Sequence, residues 1–122
     1  MIFENEKSIL IVDDYESVLE FITFLLSSMG YKVYPCKCAK EALSVISKNH
    51  EINVVLSDIR MPDINGLELL QMINDKNFHS PVILMTAYAD VEMAIDAIKK
   101  GVYDFINKPL TPDLVIHSIK RQ

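Results

Sequence analysis

PVILMTAYADVEMAIDAIKKGVYDFINKP, residues Pro81–Pro109, holds a short apolar run, a helical repeat and a second short run. Val82–Met85 and Tyr103–Asn107 have the length and the branched and aromatic content of strands. Between them Val91, Ala94, Ile95 and Ile98 recur at i, i+3, i+4 and i+7, which predicts a helix over Val91–Lys100 that buries this stripe. Asp90 can cap its start, and Gly101 stands where a left-handed residue is wanted at its end. A strand, a helix and a strand in succession form the repeating unit of a parallel sheet covered by helices.

The same reading extends outward. Ser8–Val12, Lys32–Cys36 and Asn53–Ser57 are further strand candidates. Three of the five runs lack polar alternation, as strands buried on both faces do. Val18, Ile22, Leu25 and Met29 form the stripe of a first helix, with Gly30 just past it. Asn65 with Glu68 resembles a capping box, and Thr111 before Pro112 gives an N-cap followed by proline at the first helical position. The result is five βα units. Pro35 cannot donate to a ladder, so its strand belongs at an edge, where the doubly wound order 2-1-3-4-5 puts it.

Composition sets the outer limits. The chain has 122 residues, enough for one domain spanning 1–122 with a single core. Half the residues are hydrophobic and 24% charged, a globular balance. No apolar run approaches the ~18 residues of a membrane span, and acids occupy the first residues where a signal peptide would be basic, so a cytoplasmic location is expected. A net charge of −5 argues against direct contact with nucleic acid. Cys36 and Cys38 are read as reduced thiols, and with His50, His79 and His117 scattered they make no zinc site.

Open sheets of this type bind ligands at the carboxyl ends of their strands. Asp13 and Asp14 follow the first strand, Asp58 the third, Thr86 and Ala87 the fourth, and Lys108 with Pro109 the fifth. In that order these strands are neighbours about 4.8 Å apart, so three carboxylates, a hydroxyl and an ammonium converge with no salt-bridge partners of their own. Any one of them is ordinarily a cap or a surface charge; the coincidence of five marks a site. Crowded carboxylates repel, which raises at least one pKa unless a hard divalent cation is shared between them. Mg²⁺ or Mn²⁺ suits oxygen ligands and leaves positions for a phosphate. Lys108 and Thr86 suit the remaining phosphoryl oxygens, so the chemistry indicated is phosphoryl transfer to a carboxylate.

IVDDY, SDIRMPDINGLELL, PVILMTAYAD and GVYDFINKPL, in this order, resemble a bacterial two-component response-regulator receiver domain, a flavodoxin-like (βα)5 sandwich, over about Lys7 to Gln122. The resemblance implies that Asp58 accepts the phosphoryl group. It implies that Asp14, Asp58 and the backbone carbonyl of Arg60 ligate the metal, with Asp13 acting through water. Lys108 would pair with the phosphoryl group ahead of a cis Lys108–Pro109 bond. Thr86 and the Ala87 amide would bind the phosphate in the active state, while Phe105, where many relatives carry Tyr, would turn inward. Arg60 and Tyr88 would shield the acyl phosphate from water. Implied partners are a sensor histidine kinase or phosphotransfer domain, docking near Phe24 on the first helix. A homodimer would use the fourth helix, fifth strand and fifth helix through Met93, Ala97, Tyr103 and Ile116. The chain would be a signalling switch that catalyses only its own phosphorylation and dephosphorylation, free-standing or at the front of a longer regulator.

Three rivals are weaker. A haloacid-dehalogenase-like phosphohydrolase needs a second Asp two residues after the nucleophile, where this chain has Arg60. A flavin-binding module needs a Ser/Thr/Gly-rich loop after the first strand, where Asp13 and Asp14 would repel phosphate. A degenerate receiver would not keep all five site residues.

Overall fold

The computed structural model describes residues 7–48, 51–87 and 91–121. In chain order these form β1 (Ser8–Val12), α1 (Glu16–Ser28), β2 (Lys32–Cys36), α2 (Ala39–Lys48) and β3 (Ile52–Asp58). They continue with α3 (Gly66–Asp75), β4 (Val82–Thr86), α4 (Val91–Lys99), β5 (Asp104–Asn107) and α5 (Pro112–Lys120). The strands lie parallel in the order β2-β1-β3-β4-β5. The fold is the doubly wound α/β sandwich expected. β1 and β2 have the predicted limits. β3 runs one residue further at each end, because Ile52 is a core residue and Asp58 still pairs with Met85. β5 begins at Asp104, although Tyr103 N–H still donates to Val82 O at 2.9 Å.

Every residue of β1 and β4 is buried, and alternate residues feed two separate cores. Leu10, Val12, Val55 and Leu84 face α2, α3 and α4; Ile9, Ile11, Val54, Leu56, Ile83 and Met85 face α1 and α5. Edge strand β2 explains Pro35. Lys32 N–H bonds Lys7 O and Cys36 O accepts from Asp13 N–H, so these residues address β1. The intervening Val33 and Pro35 point their main chain outward, where a missing N–H costs nothing and blunts the edge.

The helix ends match their signals. Gly30 and Gly101 have φ of 94° and 84°, the left-handed conformation that suits glycine. Asn65 Oδ1 accepts from Glu68 N at 2.9 Å and Glu68 Oε1 accepts from Asn65 N at 3.1 Å, completing the capping box. Thr111 caps α5 through Leu114 N. Asn65→Ala is expected to lower stability by about 1 kcal/mol, read from the urea midpoint. The Asp90 cap lies outside the described residues.

Two helix faces differ from expectation. On α4, Val91, Ile95 and Ile98 are 62%, 53% and 64% exposed, while Ala97 is fully buried and Met93 packs on the core. The predicted core stripe is the outer face, and Met93 and Ala97 are the anchored side. A 3.6-residue period marks an apolar stripe but does not say which way it points. On α1, Leu19, Ile22 and Leu26 are the buried residues, and Val18, Leu25 and Met29 flank them. Cys36 and Cys38 are both free, and burial pushes the Cys36 thiol up to about 12. Among the described residues no helix is long and apolar enough to cross a membrane.

Candidate functional site

The register of the sheet assembles the site. Val12 pairs with Ser57, Asp58 with Met85 and Thr86 with Asn107, so the residues ending or following these strands share one edge. Main-chain bonds then fix each turn: Asp13 N to Cys36 O at 3.1 Å, Ile59 N to Met85 O at 3.1 Å and Lys108 N to Thr86 O at 2.8 Å. The Lys108–Pro109 bond is cis, as the resemblance implied. Behind Asp58, Gly66 N donates to Ile59 O at 2.8 Å, bringing the first turn of α3 against the end of β3.

Asp13 and Asp58 are buried and Asp14 is exposed; each offers a carboxylate oxygen, and these lie within 4.8 Å of one another. Lys108 Nζ sits between two of the acids, 3.1 Å from Asp58 Oδ2 and 3.4 Å from Asp13 Oδ2. The expectation that these groups carry no ion pairs of their own is therefore wrong: the lysine neutralises part of the cluster. Asp13 Oδ1 accepts from Tyr15 N at 2.9 Å, and Asp58 Oδ1 accepts a long bond of 3.4 Å from Arg60 N.

Burial, the largest effect, raises the pKa of both Asp13 and Asp58. Neighbouring carboxylate charge adds to it, while Lys108 and the main-chain donors oppose it. Burial alone would lower Lys108, but the two carboxylates outweigh it and raise its pKa. Three oxygen donors, two of them carrying a charge that burial disfavours, fit a hard divalent cation better than any softer metal.

An acid whose folded pKa is raised favours the fold below its unfolded pKa, near 3.8, and loses that contribution as pH rises through the folded value. In chelator, Asp58→Asn is expected to be more stable than wild type at pH 7 by on the order of 1 kcal/mol. That difference shrinks toward zero near pH 4, a trend that paired thermal melts across the range would read.

Asp14, Tyr15, Asp58, Arg60, Met61, Pro62, Ala87 and Lys108 line an open pocket of about 420 Å³. Thr86 is buried, its hydroxyl donating to Ala87 O at 3.0 Å, and it lines the adjoining hollow that shares Ala87 and Lys108 with this pocket. Phe105 is half-buried and packs on the core shared with α3 and α4. Tyr88 lies outside the described residues. Tyr15, whose ring centroid is 5.8 Å from Lys108 Nζ, and Gly66 escaped sequence reasoning. Their only local signals were an aromatic residue at an N-cap position and a glycine in a first helical turn. Phe24 is 78% exposed and faces a hollow with Thr23 and Pro35 on the β2 side. It is Phe21 that borders Lys108 and Pro109, in a groove with Ser17, Val18 and Leu110.

The response regulator receiver domain profile matches residues 9–120. FixJ, a transcriptional regulatory protein of Rhizobium meliloti, is 37% identical over 96% of this chain and 57% of its own length. The C4-dicarboxylate transport regulator DctD of Pseudomonas aeruginosa is 34% identical over 98% of this chain and 26% of its own. The chain therefore spans about half, or less, of these curated relatives. A CheY-like receiver domain from Methanospirillum hungatei superposes with a TM-score of 0.89 at 32% identity, covering 96% of this chain and 93% of that one. Profile, relatives and fold agree: this chain belongs to the response regulator receiver domain family of two-component signal transduction.

Proposed function

We propose that residues 1–122 act as one switch that accepts a phosphoryl group on Asp58 from a sensor histidine kinase or a phosphotransfer domain. What supports this most is the single lysine shared between Asp58 and Asp13 in a pocket open to solvent. Asp13, Asp14, Asp58 and the Arg60 carbonyl are the residues that would hold Mg²⁺ or Mn²⁺. The ion's contribution when bound is charge neutralisation on the transferring oxygens.

The chain's own residues perform the rest. A carboxylate oxygen of Asp58 bonds to phosphorus as the phosphorus–nitrogen bond of phosphohistidine breaks; the imidazole keeps the electron pair and takes up a proton. Lys108 moves from the Asp58 carboxylate onto the phosphoryl oxygens, a preplaced charge where negative charge accumulates. The product carries more than one negative charge and strong acceptors, so the Thr86 hydroxyl turns from Ala87 O toward it and the Ala87 amide joins. The space that Thr86 leaves admits Phe105, which has no hydroxyl to report the change by hydrogen bonding.

The donor docks over α1 and the groove containing Phe21, Val18, Pro109 and Leu110, beside Lys108. Output runs through the face made by exposed Val91, Ile95, Ile98, Tyr103 and Leu114, as a homodimer in the cytoplasm, while any contact with DNA belongs to another domain. Thr86→Ala is expected to leave phosphorylation within about twofold of wild type but to remove most of the phosphorylation-dependent dimer, measured by sedimentation. Direct evidence for the reading is a mass gain of one phosphoryl group with acetyl phosphate and Mg²⁺, lost in Asp58→Asn.

A further inference from the structure

We infer that Tyr15 is a positioning residue for phosphoryl transfer, holding the Lys108 ammonium in place through its ring. The inference rests on the reading of Asp58 as acceptor. Tyr15 stands at the N-cap of α1, with φ −84° and ψ 114°, and its side chain makes no capping bond. Serine, threonine, aspartate and asparagine are the residues that stabilise this position, and tyrosine does not. A local rule broken without a local gain points to a function elsewhere.

The gain lies across the pocket. The Tyr15 ring centroid is 5.8 Å from Lys108 Nζ, within cation–π range. One carboxylate ties the pair together, since Asp13 Oδ1 accepts the Tyr15 N–H and Asp13 Oδ2 accepts from Lys108 Nζ. Tyr15 is 64% exposed, so the core does not require its ring. Lys108 must release Asp58 and re-aim its N–H bonds during transfer. A ring face holds an ammonium without consuming a directed hydrogen bond, so it keeps hold while those bonds change partners.

Tyr15→Ser and Tyr15→Phe separate this role from a structural one. Tyr15→Ser supplies a better helix cap and is expected to melt no lower than wild type. With acetyl phosphate and Mg²⁺ it should be phosphorylated about fivefold more slowly at limiting donor, the loss of one cation–π contact. Tyr15→Phe, which keeps the ring, should match wild type. Without metal, the ring-current displacement of the Lys108 ε-methylene proton signal, identified by its absence from Lys108→Ala, should vanish in Tyr15→Ser and persist in Tyr15→Phe. A Tyr15→Ser protein phosphorylated at the wild-type rate with the Lys108 signal unmoved overturns the inference. Were wild type itself to take up no phosphoryl group while the Lys108 signal moved as described, the assignment of Asp58 would fail and the contact would stand.

Discussion

Lys108→Ala is expected to slow phosphoryl transfer from acetyl phosphate by about 10²–10³-fold, the cost of losing one preplaced donor to developing charge. It should also lower stability by about 2 kcal/mol in chelator at pH 7. That lies below the range for a fully buried pair, because the Lys108 side chain is 22% exposed. Asp13 and Asp58 are then left buried with no counter-charge, and burial already raises both of their pKa values with the lysine present. Two further measurements separate this cause from simple loss of packing. Lowering the pH toward 4 protonates both acids and should restore most of the lost stability. Mg²⁺ should stabilise the variant, by ~2.7 kcal/mol at a hundredfold excess over its Kd. A loss insensitive to both would mean that the aliphatic stem of Lys108, not its charge, carries the effect.

Gly66→Ala is the second large effect, at a residue without chemistry of its own. A β-carbon there would stand 2.6 Å from Asp58 O and 2.8 Å from Ile59 Cα, both backbone atoms, and 3.1 Å from Leu84 Cδ2. Neither backbone atom can swing aside, so α3 or the end of β3 must shift. A clash of this kind costs about 1–3 kcal/mol. Displacing the end of β3 carries the Asp58 carboxylate away from Lys108, and ~1 Å of misplacement is enough to slow a reaction about a hundredfold. The expected result is a loss near 2 kcal/mol by urea titration with phosphorylation slowed at least ~10-fold. Gly101→Ala is the control. Its φ of +84° strains alanine, but nothing lies within 4 Å of the added carbon, so stability falls while the phosphorylation rate stays at wild type.

These cases mark how far the sequence is legible. The limits of β1 and β2, the edge position of Pro35 and both polar caps follow from local chemistry, since each depends on residues within a few positions of one another. Convergence of Asp13, Asp14, Asp58, Thr86 and Lys108 was legible too, because a doubly wound sheet sends the end of every strand to one edge. The inward face of α4 was not. Its apolar stripe of Val91, Ile95 and Ile98 is genuine, but it is Ala97, fully buried, and Met93 that pack against the core. The ion pair of Lys108 with Asp13 joins residues 95 apart, and the approach of Gly66 to Asp58 depends on how α3 seats on β3. No spacing rule reaches contacts of that kind.

The central claim is that Asp58 takes up phosphorus while the neighbouring acids do not. Treating the protein with acetyl phosphate and Mg²⁺, reducing the acyl phosphate with borohydride and mapping the peptides locates the modified residue. The account predicts homoserine at position 58 alone, and far less of it over the same incubation when Lys108 is alanine. Homoserine at position 13 or 14, or an unmodified chain under conditions where Mg²⁺ measurably stabilises the fold, would contradict it.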